Sequence, residues 1–167
     1  QLRLKKESFK NKLKIGKKIK IICKNYNVKL IINDDPFLTK EINADGCHLG
    51  QNDMQISDAR KILKKKIIGI TCHNSLKLAK IGLKKNADYL AFGAFYSSET
   101  KKTKYKATIN LLKKVRKITK SPIVAIGGIN SENYKKLLLN KANFLAISGY
   151  IWNNKKLKPI NAIKKLI

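Results

Sequence analysis

Gln1-Leu-Arg-Leu-Lys-Lys6 stands at the head of the chain, and the count of strands turns on how these six residues are read. Leu2 and Leu4 alternate with Gln1, Arg3 and Lys5. That period of two predicts a strand with one apolar face and one face of amide and cationic groups. Six further apolar runs read the same way: KLIIN (29–33), GCHLG (46–50), IIGIT (67–71), YLAFGAF (89–95), PIVAIGG (122–128) and FLAISGYI (144–151). Between them lie lysine-rich stretches with helical spacing. The first, 8–27, places Phe9, Leu13, Ile15, Ile19 and Ile22 near a period of 3.6. Others follow at 55–66, 75–87, 108–120, 131–142, where Ser131–Glu132 reads as the helix start, and 160–167.

Strands alternating with helices of this length imply a parallel sheet covered by helices. A closed barrel of the TIM type has eight strands, and seven are countable here. If residues 1–6 form the second strand, the chain is a TIM (β/α)8-type barrel lacking its first βα unit, and residues 1–167 form a single, N-terminally incomplete domain. An open doubly wound sheet, complete as it stands, is the alternative.

Thirty-eight basic against ten acidic residues give a formal charge of +28. Nearly all of the positive charge is lysine, with arginine only at 3, 60 and 116, and the lysines are spread over every helical stretch. Readers of nucleic acid favour the bidentate fork of arginine and interleaved aromatic residues, so this pattern argues against nucleic acid as the main partner. The abundance of Lys, Asn and Ile is what A+T-rich codons encode. The charge still favours anionic small molecules. No apolar run reaches the roughly 18–20 residues that span a bilayer. Cys23, Cys47 and Cys72 have no CxxC spacing and read as small buried thiols in a reducing compartment, the cytoplasm.

In parallel α/β folds the site forms at the carboxyl ends of the strands. Those ends carry Arg3 and Lys5, then Asn33 and Asp34, then His48, Gln51 and Asp53, then Thr71 and His73. The segment 97–102, Gly127–Gly128 and Ser148–Gly149 follow. Asp34 and Asp53 suit a hard cation such as Mg²⁺, and each also suits a turn or helix cap. Arg3, Lys5 and Lys101 suit a diphosphate beside such a cation. Adjacent glycines at a strand end allow close approach to a phosphate, or make a tight turn. His48 reads as packed within its strand, and neither histidine has zinc-ligand spacing.

Taken in order, these motifs resemble the thiamine phosphate synthase family over nearly the whole chain. QLRLKK is similar to its Q-x-R-x-K strand, LIINDD to L-I-I-N-D, and ADGCHLGQNDM to A-D-G-x-H-L-G-Q-x-D. IIGITCHNS is similar to its G-x-S-x-H segment, ADYLAFGAFYSSETKK to its T-x-T-K loop, and PIVAIGGI to its phosphate-cup strand. The resemblance implies a TIM barrel that joins a pyrimidine diphosphate to a thiazole phosphate with loss of diphosphate. It implies that Gln1, Arg3, Lys5 and Asn33 hold the pyrimidine diphosphate, with Lys101 reaching the same group and Mg²⁺ on Asp34 and Asp53. Thr71 takes the place of a serine in the substrate site. Ser98, Thr100, Gly128, Ser148 and Gly149 would hold the thiazole phosphate. The departures are Thr71 for Ser, Ser97–Ser98 for Pro-Thr, Asp35 for a common Arg, and two possible registers of AISGY. A related thiazole tautomerase shares the fold but needs neither two metal carboxylates nor the basic row. A phosphate-ligand or nucleic-acid binder without catalysis is the reading from another class. The partners expected are the two small-molecule substrates, with a homo-oligomer left open.

Overall fold

The strands form where β-branched and aromatic residues interrupt the lysine-rich helices. The computed structural model describes residues 1–97 and 104–167. Helix α1 (Phe9–Asn25) leads to β1 (Ile31–Asn33), α2 (Pro36–Glu41), β2 (Gly46–Leu49), α3 (Ile56–Leu63), β3 (Ile67–His73) and α4 (Leu76–Lys84). Then come β4 (Tyr89–Phe92), α5 (Ile109–Ile118), β5 (Ile123–Ile126), α6 (Tyr134–Leu139), β6 (Phe144–Ala146), α7 (Gly149–Trp152) and α8 (Pro159–Lys164). The chain divides into two compact units, Gln1–Thr71 with Gly82–Asp88, and Cys72–Ile81 with Tyr89–Ile167.

In the first unit β1, β2 and β3 pair in parallel, with Ile32 opposite Cys47 and Cys47 opposite Ile68. In the second, β4, β5 and β6 do the same, with Ala91 opposite Val124 and Val124 opposite Phe144. Strand order follows the chain inside each unit.

Residues 1–6 form less than a strand. Leu2 makes a single parallel bridge to Ile32, donating to the Ile31 carbonyl at 2.9 Å and accepting from Asn33 N–H at 3.0 Å. The alternation correctly assigns the faces, for Leu2 packs on the cluster Leu30, Ile32, Leu38, Ile42 and Ala44. Other expectations need correction. Phe9 and Ile22 are exposed; α1 turns inward at Gly16, beside the half-buried Leu13, Ile19 and Cys23. Gly16 is required there because a methyl group would meet Ile42 Cδ1 at 2.8 Å. FLAISGYI splits into a three-residue strand and the short α7, and the strand expected at 89–95 stops at Phe92. Helix α6 starts at Tyr134, three residues after Ser131, because Asn130 Oδ1 binds the N–H groups of Glu132 and Asn133 in a turn.

A repeated device closes the amino ends of alternate strands. Asp45 Oδ2 accepts Leu30 N–H at 2.8 Å and Lys20 Nζ at 2.6 Å. Asp88 Oδ2 accepts Ile68 N–H and Arg60, each at 2.7 Å. Asn143 Oδ1 accepts Ile123 N–H at 2.9 Å and Arg116 at 2.5 Å. Each basic residue lies on the helix preceding the strand it secures. The two arginines also bind backbone carbonyls: Arg60 those of Lys64, Lys66 and Asn86, and Arg116 those of Thr119, Ser121 and Lys141.

Candidate functional site

At the carboxyl ends of β1 and β2 the first unit gathers most of the residues singled out above. Asp34 follows β1 directly and has a left-handed backbone, φ 65°, held by donation of its N–H to the His48 carbonyl at 2.7 Å. Its neighbour Asp35 takes the capping role, accepting Leu38 N–H at 2.9 Å ahead of Pro36, the first residue of α2. The two adjacent aspartates thus divide the alternatives between them, and the Asp34 carboxylate is left for other partners. Lys5 Nζ meets Asp34 Oδ2 at 2.5 Å, and Gln1 Nε2 donates to Asn33 Oδ1 at 2.6 Å.

Asp53 reaches the same place from the turn after β2, its Oδ2 accepting Gly50 N–H at 2.7 Å. The Asp34 and Asp53 side chains lie within hydrogen-bonding reach of each other. Burial raises the Asp34 carboxyl, but its bonds to Lys5 and Asp53 and the charges of Lys5 and Arg3 outweigh burial and hold it below the usual carboxylate range. Burial and the Asp34 carboxylate together push Asp53 up, against the Gly50 amide and Lys5. Two carboxylates this close cannot both stay ionised at ease without a proton or a cation between them. Hard oxygen ligands with that need fit Mg²⁺, which commonly binds one or two carboxylates plus water and substrate phosphate.

His48 stands behind this pair and is buried. Its Nε2 lies 2.8 Å from Thr71 Oγ1, while Gln51 Nε2 donates to the Thr71 carbonyl. Burial depresses the His48 pKa to about 4, against the pull of Asp34, so the ring is neutral at pH 7. The sequence presents His48 as packing and Thr71 as substrate-binding; the structure bonds the two side chains to each other.

In the second unit Gly127 (φ 102°) and Gly128 (φ 63°) end β5 in conformations that side chains oppose. A methyl group on Gly128 would also overlap the Ser97 carbonyl and press on Tyr96. Ser148 is exposed and precedes α7, of which Gly149 is the first residue. At the end of β3, His73 stacks on Tyr105 with ring centroids 4.0 Å apart. Ser98, Thr100 and Lys101 lie outside the described residues. Sequence reading missed Asn133, whose Nδ2 donates to the Gly128 carbonyl at 3.0 Å; an asparagine among loop residues gives no signal of such a contact.

The thiamine monophosphate synthase family model matches residues 1–151. The thiamine-phosphate synthase of Pelagibacter ubique is 69% identical over 166 residues, covering 99% of this chain and 80% of that protein. The chain belongs to the thiamine monophosphate synthase family. The thiamine-phosphate synthase of Nitrosomonas eutropha is 42% identical over 154 residues, covering 92% and 73% of the two chains. Among solved structures, thiamine phosphate pyrophosphorylase from Pyrococcus furiosus superposes with a TM-score of 0.89 at 28% identity, covering 98% of this chain and 78% of that one. A 3-hexulose-6-phosphate synthase, at 15% identity and a TM-score of 0.70 over 92% of this chain, shares the fold alone. The fold is α/β of the TIM-barrel class, and thiamine-phosphate synthase, a transferase, is the family's activity and this chain's. Among the described residues no helix is long and apolar enough to cross a membrane.

Proposed function

We propose that this family member couples 4-amino-2-methyl-5-(diphosphomethyl)pyrimidine to 4-methyl-5-(2-phosphoethyl)thiazole, releasing diphosphate, with the Asp34–Asp53 cluster as the diphosphate end of its site. The observation that carries this reading is the meeting of two carboxylates at unequal ease with Lys5 and Arg3 at adjacent strand ends. A Mg²⁺ ion held by Asp34 and Asp53 would supply positive charge to the diphosphate. Lys5 and Arg3 act on the same group, and the resemblance adds Lys101. By stabilising the departing diphosphate they favour C–O cleavage to a resonance-stabilised pyrimidinylmethyl cation. The thiazole nitrogen lone pair forms the new C–N bond, and no side chain has to remove a proton in that step.

Gln1 and Asn33, bonded to each other, hold the pyrimidine diphosphate in this reading, and Thr71 is kept in orientation by His48. Gly128, Ser148 and Gly149, with Ser98 and Thr100, take the thiazole phosphate. Positioning and electrostatics carry the rate enhancement. Three cysteines without CxxC spacing support a cytoplasmic location.

The test is diphosphate release from both phosphorylated halves in Mg²⁺ and in EDTA. Release in Mg²⁺ that is lost in EDTA and restored by added Mg²⁺ is expected. Full turnover in saturating EDTA sinks the metal assignment, and no thiamine phosphate under any condition sinks the substrate assignment.

A further inference from the structure

The two glycines at the end of β5 are fixed less by their own sequence than by what their carbonyls touch. The Gly127 carbonyl accepts Tyr96 N–H at 3.1 Å, and the Gly128 carbonyl accepts Asn133 Nδ2 at 3.0 Å. A trans peptide sets its N–H antiparallel to its C=O. Holding the Gly127 carbonyl on Tyr96 therefore turns Gly128 N–H the opposite way, and holding the Gly128 carbonyl on Asn133 does the same for Ile129 N–H. Left without these contacts, a glycine pair swings freely between orientations.

Asn133 is itself held on every side. Its Oδ1 accepts Asn130 N–H at 3.0 Å, which decides which end of the amide is nitrogen. Its N–H donates to Asn130 Oδ1 at 3.1 Å, and its carbonyl accepts the Tyr96 hydroxyl at 3.3 Å. The next residue, Tyr134, is buried. Nearby, the Tyr150 hydroxyl donates to Ser131 Oγ at 3.0 Å, which ties the residue after Gly149 to the same turn. A side chain held this firmly, with one donor aimed at a glycine carbonyl, sets the direction of a peptide.

We propose that Asn133 is a positioning residue for a phosphate monoester: by fixing the Gly128 carbonyl it presents the Ile129 N–H to a phosphate oxygen. The inference rests on the reading that Gly128 belongs to the thiazole-phosphate subsite. Asn133→Asp keeps the Oδ1 acceptor for Asn130 but replaces the donor by an oxygen that repels the Gly128 carbonyl. Asn133→Ala removes both contacts.

Steady-state constants for each substrate separate the roles. Loss of one oriented hydrogen bond should raise KM for the thiazole phosphate about tenfold, with kcat and the KM for the pyrimidine diphosphate within about twofold of wild type. Tyr96→Phe removes only the hydroxyl on the Asn133 carbonyl, so it should move the same constant by about two- to threefold. It decides the matter if the Asn133 variants do not fold. A parallel rise in both KM values, or a rise in neither, overturns the proposal. Inorganic phosphate provides the independent check on the subsite. If it does not compete with the thiazole phosphate in wild type and Gly128→Ala leaves that KM unchanged, the phosphate reading itself has failed. If Gly128→Ala and phosphate both act as expected while Asn133 variants do not, only the positioning role has failed.

Discussion

At the amino ends of the strands Asp45 and Asp88 each receive a backbone N–H and a cation on one oxygen, whereas at the carboxyl ends Asp34 and Asp53 face each other. The residue types are the same, and the electrostatic outcomes at Asp45 and Asp53 are opposite. Burial raises the Asp45 carboxyl, but Lys20 and Leu30 N–H outweigh it and hold that group below the usual range. Asp53 is pushed the other way by burial and by its carboxylate neighbour. A carboxylate met by a backbone N–H and a cation contributes stability; one raised by burial and a like-charged neighbour marks a candidate ligand site.

This contrast can be broken most directly at Asp53. Asp53→Asn should lower diphosphate release by two or more orders of magnitude, as expected for loss of a group that neutralises transition-state charge. Its melting temperature should hold or rise, because the like-charge contact with Asp34 is relieved. A variant with normal turnover and reduced stability would put Asp53 in the same class as Asp45.

Acid titration probes the buried group behind the pair. His48 has a pKa of about 4 in the fold and an ordinary value near 6.5 when unfolded. The unfolded chain therefore binds the proton first as pH falls. Stability from this source is complete above pH 6.5, declines between 6.5 and 4, and is flat below, for a total of about 3 kcal/mol. The difference between wild type and His48→Gln in denaturant titrations should show that slope. Parallel curves over the window mean that His48 is not neutral in the fold.

Asp88→Ala supplies the converse of Asp53→Asn. It leaves Ile68 N–H without its acceptor and Arg60 without its carboxylate, so about 1–2 kcal/mol of stability should be lost. Turnover per folded molecule should stay at the wild-type level. If turnover falls with stability intact, the amino-end clamps and the site are not separable.

The smallest effect sharpens the comparison. Asn143 occupies the third clamp with a neutral oxygen, where Asp45 and Asp88 are charged. Asn143→Asp should add about 0.5 kcal/mol, measured by chemical denaturation and reduced by salt, as for other partly exposed pairs with arginine. A loss of stability would show that the Asn143 amide N–H₂ has a partner of its own.

Alternation and helical spacing made most strands and helices legible, because each records which face a residue turns to the core. Residues 1–6 show the limit: alternation identifies the buried face of Leu2, but a ladder also needs a partner of matching length, and β1 has three residues. The exposure of Phe9 and Ile22 has a similar cause, since Gly16 draws α1 close along a line that omits them. At the site, the Asp-Pro pair at 35–36 carries a readable helix-start signal that releases Asp34 for other work. The clamps, the His48–Thr71 bond and the Asn133 contact were not legible. The clamps and the His48–Thr71 bond depend on which strand ends lie side by side, and local patterns carry no record of contacts between distant residues such as Ile68 and Asp88. The Asn133 amide reaches Gly128 five residues away, through a loop conformation that no apolar periodicity encodes.

The clamps bear on how far this sequence can drift. Codons rich in A and T favour lysine at basic positions, and all but three of the basic positions here are lysine. Arg60 and Arg116 are different, because each planar fork serves three carbonyls and a side-chain oxygen at once, and a single ammonium has neither the span nor the geometry to replace it. A lysine at either position would loosen two neighbouring turns together. Those two codons are where the genome's preference meets a cost set by shape, and engineered changes to the chain's charge should leave them alone.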